Sequence, residues 1–433
     1  MKKLGMLALA AVLVAMFTMP AWAIESEFGG YWRTRFYTTQ NFTGEDESEA
    51  GDFSGVDTRT RLYYTATFHE NLKFVNKFEW DAIWGTGPLG DIGADGKEFE
   101  IKNSYVDFNT GPVNWKVGIQ GAVFARGFLF DDDFSGVMVN YKGETFELPF
   151  VWVKAYEGTE LSFNNAQDAN DLDADYFGIF PKFTLGGMFD VNPYFMYIYS
   201  KDASEWFGTG AGNHSLLANA LGAEAEELNM WYAGLDLDVD FDMGAAWFTG
   251  IYQGGDVDLQ TGESLDFKAW LLALGGNVNV GMFDVHGRAF YASGDDDDDE
   301  DIEQFTPPQG RSYYWSEIMG YGIFDFTTSN NAPADNISNV WAANLGVAVK
   351  PMDKLKVALD VWYAALAEKI EVAGGGEEDV LGTEVDLVIT YEVVENLNLD
   401  LVGAYLFAGD ATTENLDNDE NPYEVGARLS LAF

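Results

Sequence analysis

The sequence predicts an all-β fold: a transmembrane antiparallel β-barrel of about 18 strands, with 16 as the alternative count. Three observations carry that expectation. Segments that alternate apolar and polar residues recur from one end of the chain to the other. The joins between them are alternately short and long. The final segment, Pro422 to Phe433, sets Tyr423, Val425, Ala427, Leu429, Leu431 and Phe433 in one row against Glu424, Gly426, Arg428, Ser430 and Ala432 in the other. That is the period-two pattern of a strand with one oily and one wet face. The edge strand of a soluble sandwich would read the same way in isolation. A sandwich, however, has no reason to keep the parity of short and long joins over a whole chain.

The N-terminus reads as a secretory signal peptide over residues 1–23. Lys2 and Lys3 form a basic start, Leu4 to Met19 an apolar stretch, and Ala21-Trp22-Ala23 a cleavage site. Residues 24–433 are then one barrel domain. No later run is apolar on all faces for long enough to form a membrane helix. The chain contains no cysteine, which excludes disulfides, thiol catalysis and cysteine-ligated metals. A net charge of −47 argues against nucleic-acid binding, which needs a basic footprint. With 47% hydrophobic residues, 33 Phe, 21 Tyr and 13 Trp, the chain is not of a disordered composition.

The alternation predicts strands near 28–40, 57–69, 72–84, 98–109, 113–120, 134–142, 146–157, 175–185 and 188–200. Others follow near 229–240, 242–253, 265–278, 281–293, 338–350, 354–368, 380–392, 397–409 and 422–433. Short joins such as Thr110-Gly111-Pro112 and Gly186-Gly187 alternate with long polar ones near 41–56, 85–97, 158–174, 201–228, 254–264, 294–337, 369–379 and 410–421. Tight periplasmic turns and longer outer loops produce that rhythm in a membrane barrel. Rows such as Val357, Leu359, Val361 and Tyr363 would meet lipid, because a lysine or arginine there would cost roughly 2–4 kcal/mol at the midplane.

The wet rows of the first strands concentrate arginine. Arg33 and Arg35 share a row with Tyr31 and Tyr37, and Arg59 and Arg61 share one with Asp57 and Tyr63. If the barrel closes, Arg428 joins the same wall. Glu79, Asp81, Glu98 and Glu100 follow as candidate pore-lining acids, with Lys73, Lys77 and Lys102 among them. A basic strip beside carboxylates sets a transverse field that sorts solutes by charge. The alternative is a set of salt bridges that stiffens the wall, and both can hold at once. The join at 120–133, QGAVFARGFLFDDD, reads as a loop folded into the lumen, with Arg126 and Asp131, Asp132 and Asp133 as the constricting charges. An outer loop packed on a neighbouring wall is its alternative reading.

Catalysis and metal binding find little support. His69, His214 and His286 fall in a turn, a long loop and mid-strand, so spacing suggests no Ser-His pair. The acid run Asp295 to Asp301 lacks the spacing and turn glycine of a calcium loop and reads as solvated. No cofactor is expected.

Three stretches carry a family likeness: Trp84 to Phe108 with Leu89-Gly90 and Gly93-Ala94-Asp95-Gly96, Trp115 to Phe124 with Gly118-Ile119-Gln120-Gly121, and Phe128 to Tyr141 with Asp132-Asp133. In these the chain resembles the outer-membrane homotrimeric porins of anaerobic sulfate-reducing bacteria. The 294–337 insertion and its acid run stand outside that pattern. The resemblance implies an outer-membrane location, a homotrimer, and passive diffusion of ions and small hydrophilic solutes without catalysis. Lipid and lipopolysaccharide would be its surroundings. A sugar-selective or polysaccharide channel lined by Tyr31, Tyr37, Tyr63, Trp270 and Trp362 is the second reading, and a barrel enzyme the third.

Overall fold

The computed structural model describes residues 24–42, 53–86, 90–92, 99–157, 173–201, 203, 225–296, 301–308, 313–324, 337–372, 375–413 and 420–433. Residues 1–23, the expected signal peptide, lie outside them, as do Glu98 and His214.

Eighteen wall strands run antiparallel to their neighbours and close on themselves. The first nine are β1 (Glu25–Gln40), β2 (Phe53–His69), β3 (Leu72–Ile83), β4 (Glu100–Thr110), β5 (Val113–Phe124), β6 (Phe130–Lys142), β7 (Phe146–Tyr156), β8 and β9 (Phe189–Ser200). Strand β8 is broken into Ala174–Ile179 and Lys182–Leu185, and both pieces pair with β7 and β9. Pro181 sits in the break, where it offers no N–H to a ladder. The second nine are β10 (Ala225–Phe241), β11 (Gly244–Leu259), β12 (Ser264–Val280), β13 (Phe283–Ala292), β14 (Val340–Met352), β15 (Leu355–Glu371), β16 (Glu377–Val394), β17 (Leu397–Ala408) and β18 (Tyr423–Ala432). Among the described residues no helix is long and apolar enough to cross a membrane.

Closure comes from β1 against β18, in register from Tyr31↔Ala432 to Gln40↔Tyr423. The seam ends on Phe433, whose carbonyl accepts from Gly30 N at 2.7 Å and whose N–H donates to Gly30 O at 3.1 Å. A Cβ on Gly30 would stand 2.6 Å from the Phe433 ring and 2.4 Å from Arg61 O, so only glycine lets the last ring lie on the seam.

The outer face carries the oily rows: Val425 is 52% exposed in the isolated chain, Leu401 45% and Leu359 42%. Their strand neighbours Glu424, Asp400 and Trp362 are buried inside. The expected aromatic Trp270 faces outward instead, stacked on Tyr291 at 4.7 Å. Its row partners Leu272 and Leu274 show why, since period two cannot split them.

Several strands run further than the alternation indicated. Strands β11 and β12 pair up to Asp258↔Ser264, so the expected 254–264 loop shrinks to residues 260–263. The 120–133 join is not a loop: β5 and β6 stay paired to Phe124↔Phe130, and Asp131 to Asp133 lie on β6. Backbone pairing continued there because every residue of the segment except its 125–129 tip can still fill a ladder.

Candidate functional site

The inner face of the first strands is a basic wall. Period two and the pairing register set it: Arg33 faces Arg59 and Ser430, Arg35 faces Asp57 and Arg428, and Arg61 faces Glu79. Ten of the chain's 24 lysines and arginines share this wall, namely Arg33, Arg35, Arg59, Arg61, Lys73, Lys77, Lys102, Lys116, Lys142 and Arg428. In so acidic a chain that is a strong segregation of charge.

Most of the arginines there are held by carboxylates. Arg35 Nε donates to Asp57 Oδ1 at 2.8 Å and its Nη2 to Oδ2 at 2.6 Å, a buried two-point pair. Arg59 grips Asp81 in the same way, at 2.9 and 2.5 Å. Arg61 pairs with Glu79. Arg428 reaches Asp400 with Nε at 3.0 Å and Nη2 at 2.9 Å. The arginines brace the wall, and Arg33, Arg59, Arg61 and Arg428 also line a cavity of about 1300 Å³. Asp81 and Glu100 do not line it, while Glu79 does.

The opposite side of that cavity is the β5–β6 hairpin. Strand β5 pairs with β4 only from Val113 to Ile119, and β6 pairs with β7 only from Ser135 to Lys142. Beyond those points the two strands keep each other but leave the wall. Their tip turns through Ala125, Arg126 and Gly127, all at positive φ (49°, 59° and 92°). Arg126 crosses to β10 and β11, donating to Asp238 Oδ1 at 2.7 Å and Thr249 Oγ1 at 3.1 Å, with its guanidinium 4.9 Å from the Trp247 ring. The hairpin has two unlike faces. Phe124 stacks on Phe180 at 4.1 Å, and Phe128 on Tyr313 at 3.8 Å. Asp131, Asp132 and Asp133 line the cavity instead, and Asp133 accepts from Asn103 at 2.6 Å and pairs with Lys102 at 3.3 Å. The element expected to constrict is thus a strand pair that leaves the wall, with an acidic front and an oily back.

A third element fills the far side. Residues 301–308 and 313–324, from the join between β13 and β14, lie inward. Ile302 bridges Phe267, and the Thr306 N–H donates to Gln253 Oε1 at 2.8 Å. Further on, the buried Glu384 carboxylate accepts from Ile318 N at 2.7 Å, Met319 N at 2.9 Å and Ser316 Oγ at 3.0 Å. Glu317, beside it, accepts from Ile323 N at 2.7 Å. Burial pushes the Glu317 carboxyl up to about 7, with the nearby Glu384 adding to the rise. Trp315 meets Trp362 edge-on at 5.0 Å, and Arg288 lies 5.0 Å from the Trp362 ring. The described residues 313–324 are largely buried on this side, and the two cavities lie along the basic wall.

That space continues toward the short-turn end. A second cavity of about 400 Å³ is lined by Lys73, Lys116 and Lys142, by the acids Glu70 and Asp107, and by Asn71, Asn109, Asn114 and Asn140. Lys116 lines both cavities. Lys77 lies 5.2 Å from the Tyr63 ring and Lys116 5.7 Å from the Tyr105 ring. Among the described residues Lys73, Lys77, Lys116 and Lys142 meet no carboxylate within 4.0 Å. Lys116 and Lys142 were missed in the sequence; each stands on a wet row opposite an acid, Asp107 and Glu147, that it does not reach within 4.0 Å.

The histidines form no catalytic pair among the described residues. His286 sits between two carboxylates, Nδ1 to Asp284 at 2.9 Å and Nε2 to Asp360 at 3.0 Å. No group of three His, Cys, Asp or Glu among the described residues is disposed to hold a metal ion.

No family model matches the chain, and no curated protein does. Solved structures do match in fold. OccK1 (OpdK) of Pseudomonas aeruginosa superposes with a TM-score of 0.56 at 10% identity, covering 94% of this chain and 98% of that one. OccAB1 of Acinetobacter baumannii gives 0.55 at 12%, covering 94% and 97%. OccK11 (OpdR) of Pseudomonas aeruginosa gives 0.55 at 9%, covering 94% and 96%. These are porins of the outer membrane, and the chain shares their closed barrel fold across nearly its whole length.

Proposed function

We propose that the protein is an outer-membrane porin, a water-filled channel for passive diffusion of ions and small hydrophilic solutes. The observation that carries this reading is the pair of cavities beside the basic wall, both lined by Lys116. A barrel of this strand number is wide enough to hold an aqueous path even when partly plugged. Passage is biased toward anions, because Lys73, Lys116 and Lys142 outnumber Glu70 and Asp107 on the second cavity and Glu79 on the first is held by Arg61. The Asp131 to Asp133 front opposes the wall and sets the transverse field. No step of this work is catalytic.

Residues 1–23 act in this reading as the cleaved export signal, and the barrel sits among outer-membrane lipid and lipopolysaccharide as a homotrimer. The resemblance to porins of sulfate-reducing bacteria supports the trimer. Reversal potential in planar bilayers under a salt gradient tests the channel and its sign together. An open conductance with anion preference is expected; no conductance overturns the reading. A sugar-selective channel is the second reading, favoured by Tyr31, Tyr63, Tyr105 and Tyr314 around the larger cavity. Saturable block of the current by one sugar would establish it. A barrel enzyme is dismissed if replacing His286 and His214 leaves conductance and growth unchanged.

A further inference from the structure

Near the short-turn end, register sets lysines opposite acids, yet the ion pairs do not close. Lys73 on β3 and Lys116 on β5 stand on either side of Asp107, and Lys142 on β6 stands opposite Glu147 on β7. Opposite charges in such positions ordinarily meet across a strand pair. Here none of the three lysines comes within 4.0 Å of a carboxylate among the described residues.

Asparagine takes the acids instead. Asn114 Nδ2 donates to Asp107 Oδ1 at 2.6 Å, and Asn140 Nδ2 donates to Glu147 Oε2 at 2.6 Å. Lys116 lies 5.7 Å from the Tyr105 ring, a contact that steadies an ammonium without using its donors. The three lysines therefore keep their N–H groups for the cavity of about 400 Å³ that they share. Glu70 and Asp107 line it too, so three cations against two acids leave it net positive.

We propose that this second cavity is a subsite for inorganic phosphate, a compact oxyanion that still carries an O–H. The lysines supply the attraction, each as a point charge with several donors. Asp107 supplies the selection. Its Oδ1 is taken by Asn114, while its Oδ2 meets no donor among the described residues and accepts the hydroxyl of the bound anion. Phosphate keeps at least one O–H at neutral pH, whereas sulfate keeps none and meets an acceptor-only carboxylate with repulsion. A lysine cluster that attracts anions in general would not tell the two apart. The inference rests on the channel reading above and names a solute for its short-turn end.

Single channels of the unsubstituted protein are recorded in planar bilayers in potassium chloride at neutral pH, and sodium phosphate or sodium sulfate is then added. Phosphate is expected to reduce the chloride current at about a tenfold lower concentration than sulfate, the ratio that one charge-assisted hydrogen bond supplies. Asp107→Asn replaces an acceptor-only group by one that also donates, and that variant is expected to lose the preference. Lys73→Gln, at the exposed start of β3, is expected to weaken the phosphate block about fivefold while the preference over sulfate stays. Equal block by the two anions in the unsubstituted protein overturns the proposal, as does a preference that survives Asp107→Asn. A phosphate block that Lys73→Gln leaves unchanged overturns it too. A steady chloride current that neither anion reduces defeats the subsite and leaves the channel standing, whereas no current at all defeats the channel and the subsite with it.

Discussion

Glu317 is expected to make the inward residues 313–324 sensitive to pH. In the docked segment its carboxyl is buried and titrates near 7, against an ordinary 4.5 that it would regain on release into water. Burial is the main cause. The Ile323 N–H and Arg428 favour the charged form, while Glu384 and Asp360 oppose it. A carboxyl raised on docking holds its proton more tightly docked than free. Docking is therefore at full strength below about 4.5 and weakens as pH rises through about 7. The difference of 7 − 4.5 = 2.5 units corresponds to about 3 kcal/mol at 1.36 kcal/mol per unit. The three donors to Glu384 hold the segment with about 1.5–3 kcal/mol each as charge-assisted bonds, so the clasp loosens without being lost.

Tyr314, Gly322 and Ile323 of this segment line the larger cavity, so release widens the path. Single-channel recordings are expected to show brief steps of higher conductance whose frequency rises between pH 5 and pH 8. Glu317→Gln keeps an acceptor for Ile323 N and removes the titrating proton, so its step frequency should stay at the low-pH level throughout. If the variant retains the pH dependence of the unsubstituted protein, Glu317 is not the responsible group and the reasoning fails.

Replacing Lys73, Lys77, Lys116 and Lys142 with Gln should lower the anion-to-cation permeability ratio at least about fivefold, since one charge at 4 Å is worth about 1 kcal/mol even in water. Reversal potentials measure it. Changing Arg33, Arg35, Arg59 and Arg61 to Ser should reduce anion preference too; selectivity unchanged by that set would refute a role for the strip. Arg35→Ser alone strands the buried Asp57 and should cost about 3–5 kcal/mol of barrel stability, read by urea-dependent mobility shift. Gly30→Ala forces the closing strand away from Arg61 O and the Phe433 ring and should cost about 1–3 kcal/mol in the same assay.

The wall was legible because a strand's alternation has only two phases. Once Val425 and Leu429 meet lipid, Arg428 must face inward, and closure of the seam then brings it to Arg35. Partners were less legible. Asp400 lies 28 residues before Arg428 and Asp57 lies 22 after Arg35, and only the register between strands joins them. The bend of β5 and β6 was hidden for a different reason. Alternation records pairing, and the hairpin stays paired while it leaves the wall. Its one signal was composition, with Phe124, Phe128, Phe130 and Phe134 crowded into a stretch that would otherwise be half wet. The docking of 301–308 and 313–324 has no periodic trace at all, because it is held by hydrogen bonds to Gln253 and Glu384 from irregular backbone.

The chain's acidity and its basic lumen are compatible because screening separates them. At physiological salt a charge is felt over roughly 8 Å. Acidic outer loops therefore govern which ions gather at the mouth, and only groups within that distance of the path govern which ions cross. On the wall Asp57 and Asp81 are paired by arginine, Asp400 by Arg428, and Glu79 by Arg61 with Arg59 and Lys102 nearby. Each such pair presents a dipole with little net charge, so the arginines contribute stiffness more than attraction. Nearer the short-turn end Lys73, Lys116 and Lys142 outnumber Glu70 and Asp107 on the same cavity, which leaves a net positive charge there. Selectivity is therefore expected to follow that surplus more than the count of cations on the wall.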